Sequence, residues 1–178
     1  PNSIIYKSYD DALKNPKIDF VVVTSPTNTH YKIVKESLNK KKHVMCEKPL
    51  TLKLNEVKHL IKLSKKNKKF LFVDYPFIYG ESISFIKKII AKKKLGKALI
   101  YESIREKAPY RKDTNVVWDL GIHDFSIIQH LTNLTPSRSE ITLTKTKKNY
   151  KSDFAIINLF YKNNFSAFIK LNWASPTK

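Results

Sequence analysis

The N-terminal part of the chain alternates short, continuously apolar segments with longer amphipathic ones, and this alternation restricts the fold more than any other sequence feature. The apolar segments 19–24, 43–46 and 70–73 are rich in β-branched and aromatic residues, which is typical of strands buried on both faces of a parallel sheet. The intervening segments 29–39 and 54–66 carry apolar residues at helical spacing. Strands joined by helices of this length predict right-handed βαβ crossovers and a parallel sheet.

The C-terminal part follows a different pattern. Helices are predicted at 82–94 and 121–132, and a strand is predicted at 98–105. Asn163-Asn164 suits the tight turn of a hairpin between two later strands. The predicted strands of this region follow one another closely, at 139–146, 153–161 and 165–173.

Together these patterns predict an α/β fold in two domains, with a boundary near 74–79. Residues 1–75 correspond to the C-terminal part of a Rossmann-type parallel sheet. Residues 76–178 correspond to an α+β domain with a mostly antiparallel sheet. The sequence opens inside this pattern and without a methionine, so we expect an internal fragment of a longer protein, truncated also at its C-terminus.

The net charge of +19 suggests an anionic partner, but its distribution argues against a specific nucleic-acid site. Nearly all the positive charge is lysine, and it is spread over three of the four predicted helices. Planar recognition of phosphates and bases favours arginine, which occurs only as Arg105, Arg111 and Arg138. A basic nucleic-acid-binding module is therefore the less favoured alternative.

The number of cysteines and the lengths of the apolar segments indicate the compartment and whether the chain crosses a membrane. Cys46 is the single cysteine, so no internal disulfide can form. No apolar segment approaches the roughly 18 residues of a membrane span, and no signal-like segment opens the chain. We therefore expect a cytoplasmic protein that has no membrane partner.

Candidate site residues lie where the predicted parallel strands end, because ligands of open α/β sheets bind beyond the carboxyl ends of the strands. Thr24 ends one strand, Glu47-Lys48-Pro49 follows the next, and Asp74-Tyr75 follows the third. Lys48, flanked by a carboxylate and a proline, can serve as an acid, a base or an electrostatic stabiliser. A surface ion pair between Lys48 and Glu47 is the alternative, and position alone does not decide between them.

A second candidate lies in the segment Trp118-Asp119-Leu120-Gly121-Ile122-His123. Asp119 and His123 are four residues apart, so a helix starting near Asp119 places both on one face. A neighbouring carboxylate orients an imidazole and raises its basicity, as a general base requires. A helix cap at Asp119 and a merely packed histidine remain alternatives. His130 adds a possible metal ligand, but three ligands on one helix are awkward, so no metal site is predicted.

Taken together, these motifs resemble the Gfo/Idh/MocA family of NAD(P)-dependent oxidoreductases, named after glucose–fructose oxidoreductase, inositol dehydrogenase and a rhizopine-catabolism protein. DFVVVTSPTNTH is similar to the family's strand and T-P-x-x-x-H turn, with Ser25 inserted. KKHVMCEKPL is similar to G-K-H-V-x-x-E-K-P-L, with Lys41 where glycine is usual. LGKALIYESIREK is similar to the lead-in to the substrate-domain sheet, and WDLGIHDFSIIQHL to the D-x-x-x-H catalytic helix.

The resemblance implies a role for each candidate residue. Lys48, Asp119 and His123 are the implied catalytic residues, with Lys48 at the nicotinamide ribose and the reacting hydroxyl, and His123 as proton acceptor. Glu47 orients the cofactor and Lys48, and the Lys48–Pro49 bond is expected to be cis. The implied cofactor residues are Thr24, Pro26, Asn28, His30, Glu47, Lys48 and Pro49. The implied substrate residues are Tyr75, Arg105, Asn115 and Trp118.

The implied activity is the reversible oxidation of a sugar or nucleotide-sugar ring hydroxyl to a ketone with NAD or NADP. DTNVVWDLGIHD is closest to members associated with nucleotide sugars and surface polysaccharides. Family members pair through the second-domain sheet, so a dimer or tetramer is expected for the complete protein. The G-x-G-x-x-G turn that binds pyrophosphate is not in these 178 residues. A non-catalytic sugar-binding relative on the same scaffold is therefore a second alternative.

Overall fold

The computed structural model describes residues 3–93, 95–106, 110–148 and 151–175. The chain divides into two compact units, which we call unit 1 (Pro1–Asp74) and unit 2 (Tyr75–Lys178). Within residues 3–74, helices and strands alternate as α1 (Tyr9–Lys14), β1 (Phe20–Val23), α2 (Thr27–Asn39), β2 (His43–Glu47), α3 (Leu54–Asn67) and β3 (Leu71–Asp74).

Unit 1 is built on the predicted parallel sheet. Its strand order is β1-β2-β3, and both pairings are parallel. Helices α2 and α3 pack on one face of this sheet, where their apolar stripes meet the inward side chains of the strands. The resulting core consists of Val23, Val34, Leu38, Val44, Cys46, Leu50 and Leu60.

The opposite face of the unit 1 sheet differs from the sequence-based prediction. Phe20, Val22 and Phe72 point to this second face and are exposed. The prediction that the strands are buried on both faces is therefore wrong for the described residues, because α2 and α3 both cover the same side. A continuously apolar strand sequence does not show whether one face or both faces of the sheet are covered.

Two left-handed backbone positions end the crossover helices of unit 1. Lys41, two residues after the end of α2, has φ 59°, and Lys68, directly after α3, has φ 53°. A residue in this conformation lets its neighbours satisfy the last helical carbonyl groups, and glycine adopts it with least strain. Each helix thus stops where the chain must turn towards the next strand.

Unit 2 is the α+β domain. Its described residues form a 3₁₀ helix (Pro76–Tyr79), α4 (Glu81–Ala91), β4 (Ile100–Glu106), a π-helical turn (Val117–Gly121), α5 (Ile122–Thr132), β5 (Arg138–Thr144), β6 (Phe154–Phe160) and β7 (Ser166–Asn172). The strand order is β4-β7-β6-β5. Both pairings among β5, β6 and β7 are antiparallel, but β4 pairs with β7 in parallel.

The core of unit 2 lies on one face of its sheet. Inward residues alternate along β6 and β7, as a half-buried sheet requires. They pack with residues of α5 and of the flanking loops; the core comprises Val116, Ile128, Ala155, Ile157, Leu159, Tyr161, Phe165, Ala167, Ile169, Leu171 and Trp173. Asn164 turns the predicted hairpin between β6 and β7 with φ 63°.

Candidate active site

The predicted cofactor residues of unit 1 lie at the carboxyl ends of β1 and β2. Thr24 and Asn28 are exposed, whereas Glu47 and Lys48 are half-buried. The bond between Lys48 and Pro49 is cis, as expected. Lys48 therefore emerges from a strand end with only part of its side chain in solvent.

His30 occupies a different environment from the other predicted cofactor residues. Its side chain is buried, and both ring nitrogens face backbone carbonyl groups. Nδ1 lies 2.9 Å from the carbonyl oxygen of Pro49, and Nε2 lies 2.7 Å from that of Ser25. His30 thus ties the turn after β1 to the loop that carries Lys48.

The donors at this edge of the sheet suit a dinucleotide. Within its first turn, α2 has no acidic residue and no side-chain cap. Its first backbone N–H groups and its positive dipole end therefore favour an anionic group. The hydroxyl of Thr24, the amide of Asn28 and the ammonium of Lys48 add donors for ribose hydroxyl and phosphate oxygens.

In unit 2, the Asp119/His123 motif lies on a helix with an irregular first turn. The segment Val117–Gly121 is π-helical, and α5 continues from Ile122. Asn115 initiates this helix, since its Oδ1 accepts hydrogen bonds from the backbone N–H groups of Val117 and Trp118 at 3.1 and 3.0 Å. Single π-helical turns occur frequently at functional sites. The side chains of Asp119 and His123 are both largely buried.

The carboxylate of Asp119 is held on both oxygens. Arg111 Nη1 lies 3.3 Å from Oδ1, and Trp173 Nε1 donates to Oδ2 at 3.2 Å. Arg111 is itself fixed by Asp113, through Nη2–Oδ2 at 2.8 Å and Nε–Oδ1 at 3.1 Å. Hydrogen bonding to Asp113 raises the pKa of Arg111 above its ordinary value. These contacts fix the orientation of the Asp119 carboxylate.

His123 and the predicted substrate residues differ in their contacts and exposure within unit 2. The rings of His123 and Phe77 meet edge to face, with centroids 4.8 Å apart. Trp118 is exposed. Burial raises the pKa of the Tyr75 phenol, so Tyr75 is neutral at pH 7. Arg105 donates through Nε to Asp124 at 2.7 Å, so part of its guanidinium is already engaged.

Sequence reasoning missed the residues that hold this constellation together. Phe77, Tyr101, Arg111, Asp113, Asp124 and Trp173 were not predicted. Arg111 could have been singled out from the sequence, because the chain has only three arginines and this one lies two residues from Asp113. No local pattern marks Trp173, because its contact with Asp119 spans 54 residues.

Two further observations concern alternatives raised by the sequence. His130 lies with its Nε2 3.4 Å from Lys87 Nζ. Across the part of the chain that the structure describes, no group of three or more His, Cys, Asp or Glu side chains is arranged to hold a metal ion. None of the helices in the same residues is sufficiently long and apolar to cross a bilayer.

Comparison with known proteins agrees with the fold and with the family resemblance. The profile described as "Oxidoreductase family, NAD-binding Rossmann fold" matches residues 2–75. A myo-inositol 2-dehydrogenase of Thermotoga maritima is 31% identical over 132 residues, which cover 71% of this chain and 40% of that protein.

Solved structures extend the similarity to unit 2. A probable dehydrogenase from Thermotoga maritima superposes with a TM-score of 0.83 at 26% identity, covering 93% of this chain and 53% of its own. A putative oxidoreductase of Bacillus subtilis, yvaA, gives a TM-score of 0.89 at 22% identity, covering 99% and 53%, and this similarity concerns the fold. The chain spans about half the length of these structures.

A Rossmann-type sheet followed by an α+β domain, with these motifs in this order, defines the class of NAD(P)-binding oxidoreductases. Within that class, the chain belongs to the Gfo/Idh/MocA family. The matched profile covers the unit that carries Lys48, and the relatives cover both units.

Proposed function

We propose that the protein to which this chain belongs oxidises a ring hydroxyl of a sugar or nucleotide sugar to a ketone, reversibly, with NAD or NADP. One observation carries the proposal. A largely buried imidazole, His123, lies one helical turn after a buried carboxylate, Asp119, that two donors hold in place. Such a pair suits proton abstraction from an alcohol near neutral pH.

His123 is the proton acceptor in this mechanism. The hydroxyl proton passes to its imidazole while the hydride leaves the same carbon, so the alcohol becomes a ketone. Asp119 contributes a negative charge in the adjacent turn, which favours the imidazolium that forms, and Arg111 partly offsets that charge. Burial of both side chains strengthens these interactions relative to water.

Unit 1 supplies the cofactor-binding groups in this proposal. When bound, the nicotinamide supplies the hydride acceptor. Thr24, Pro26, Asn28 and the loop at Glu47–Pro49 bind the dinucleotide, and the ammonium of Lys48 stabilises the hydroxyl as it loses its proton. His30 supports this loop through its contacts with the carbonyl groups of Ser25 and Pro49.

The test is turnover by the full-length protein with NAD or NADP and a panel of nucleotide sugars, free sugars and myo-inositol. Formation of reduced nicotinamide is measured. Lys48→Ala and His123→Ala are each expected to lower kcat by roughly a hundredfold or more, as loss of a proton-transfer group does. The matched control is Lys53→Ala, which removes an exposed lysine that pairs with Glu56. Normal turnover in Lys48→Ala and His123→Ala would contradict the proposal.

The non-catalytic alternative predicts a separate result. A scaffold that only binds sugars would bind a nucleotide sugar without any turnover, and Lys48→Ala would change affinity only. The presence of Lys48, Asp119 and His123 together favours the enzyme. Calorimetric binding measured beside turnover distinguishes the two.

We also propose that a second copy of the protein covers the open face of the unit 2 sheet. This open patch consists of Ile100, Ile104, Ile156 and Phe168, which point away from α5 and are all exposed. Exposed apolar patches on a sheet face mark interaction surfaces. Glu102, Glu106 and Lys170 lie on the same face, and Lys170 pairs with Glu106 at 2.9 Å, so the charges around the patch have both signs.

A further inference from the structure

We propose that Asp124, Arg105 and Phe77 are positioning residues that fix the ring of His123 from two sides, which rests on the proposed role of His123 as proton acceptor. Asp124 follows His123 directly in the first turn of α5. Its side chain is 0% exposed, so its carboxylate must find all its partners inside the protein.

Both oxygens of Asp124 are bonded to β4. Tyr101 donates its hydroxyl to Oδ1 at 2.7 Å, and Arg105 donates Nε to Oδ2 at 2.7 Å. Burial, assisted by the hydrogen bond to Asp124, raises the pKa of Tyr101, so its hydroxyl remains a donor at neutral pH. Two short bonds from one carboxylate to one strand fix the rotation of the first turn of α5. The backbone position of His123 is thereby set.

The second route to His123 passes through an aromatic ring. The guanidinium carbon of Arg105 lies 4.8 Å from the centre of the Phe77 ring, and the same ring meets His123 with centroids 4.8 Å apart. Asp124 holds the guanidinium, the guanidinium stacks on Phe77, and Phe77 limits the ring of His123. A cation over an aromatic face is attracted to it, so this stack is itself stabilising.

Stability alone does not explain this arrangement. A buried ion pair is weak evidence for stability, since apolar residues of similar volume often serve as well. What the pair supplies is a defined geometry, and a proton acceptor displaced by about 1 Å loses roughly a hundredfold in rate. The network also assigns Arg105 a role other than the predicted contact with substrate.

The experiment uses the full-length protein and separates ring position from stability. Phe77 is 44% exposed, so Phe77→Leu is expected to fold. We expect Phe77→Leu and Arg105→Gln to lower kcat by roughly ten- to a hundredfold, with KM changed less than about threefold. Phe77→Tyr, which keeps the ring, should restore kcat. Glu140→Gln, which removes the carboxylate of the exposed Arg138–Glu140 pair, is the control and should leave kcat unchanged.

A second measurement keeps this proposal distinct from the proposed function. ¹³C relaxation of the His123 ring in Arg105→Gln should show additional motion that Glu140→Gln lacks. If the parent protein oxidises none of the panel compounds, the proposed function fails, and the relaxation result alone decides the positioning role. An unchanged His123 ring in Arg105→Gln, or an unchanged kcat in Phe77→Leu, overturns the positioning role.

Discussion

The indole Nε1 of Trp173, just beyond the end of β7, donates a 3.2 Å hydrogen bond to Oδ2 of Asp119, 54 residues earlier in the chain. The bond joins the last core strand of unit 2 to the π-helical turn that precedes His123. Parallel pairing of β7 with β4 places Trp173 at the same end of the sheet as Arg105. The sheet topology therefore contributes directly to the orientation of a candidate catalytic carboxylate.

Trp173→Phe keeps an aromatic ring but removes this donor. Because the lost bond reaches a charged group, the free energy of unfolding should fall by about 2 kcal/mol. The turnover of the full-length protein should also fall, since Asp119 loses one of its two holding donors. Urea unfolding and steady-state kinetics measure the two effects. Trp118→Phe is the control for stability, because Trp118 is 37% exposed and should change the unfolding free energy little. Equal stability of both variants would contradict the prediction.

His30→Ala tests the link between the two cofactor loops of unit 1. The substitution removes the buried ring that contacts the carbonyl groups of Ser25 and Pro49, so unfolding free energy should fall by roughly 3 kcal/mol. Nucleotide affinity of the full-length protein should weaken as the loop bearing Lys48 loses its support. His59→Ala removes an exposed histidine bonded to Tyr31 and serves as the control. Unchanged nucleotide affinity in His30→Ala would show that the loop holds its position without His30.

The sequence predicted elements whose pattern is local and missed contacts that depend on topology. The alternation around Val21–Val23 and His43–Cys46 predicted the parallel sheet, because hydrophobic periodicity and crossover handedness act within one βαβ unit. The motif residues Lys48, Asp119 and His123 were predicted from residue type and spacing, and their roles stay predictions. By contrast, insertion of β7 between β4 and β6 could not be predicted, since adjacent strands in the sequence usually pair with one another.

Lys41 shows how a departure from the family pattern becomes interpretable in the structure. The position usually holds glycine, and here its φ is 59°, a left-handed conformation that strains a residue with a Cβ atom. Lys41→Gly should therefore stabilise the protein by about 1 kcal/mol, measured as a higher urea midpoint. Lys40→Gly is the matched control, because Lys40 has φ −80° and glycine there only adds unfolded-state freedom. A lower midpoint for Lys41→Gly would contradict the assignment of strain.

Ile104→Lys tests whether a second copy of the protein covers the open patch of unit 2. A lysine in the middle of an apolar contact between two copies places a charge where it cannot be solvated. The full-length protein should then lose its oligomeric mass in sedimentation equilibrium. Leu54→Lys is closely matched, because Leu54 on α3 and Ile104 are both 66% exposed, and it should leave the mass unchanged. An oligomer that persists in Ile104→Lys excludes this patch as the interface.

Cys46 is a reporter of folding and of pH in unit 1. It is fully buried, and burial, assisted by the negative charge of Glu47, raises the pKa of its thiol to about 12. The thiol of the unfolded chain has a pKa of about 8.5. Between these values the unfolded state releases a proton that the folded state keeps, so stability is lost as pH rises above about 8.5.

Iodoacetamide should label Cys46 slowly in the native protein at neutral pH and rapidly in denaturant, as read by intact mass. Cys46→Ala should abolish labelling and reduce the loss of stability at alkaline pH. Rapid labelling of the native protein would show that this strand is not buried in solution.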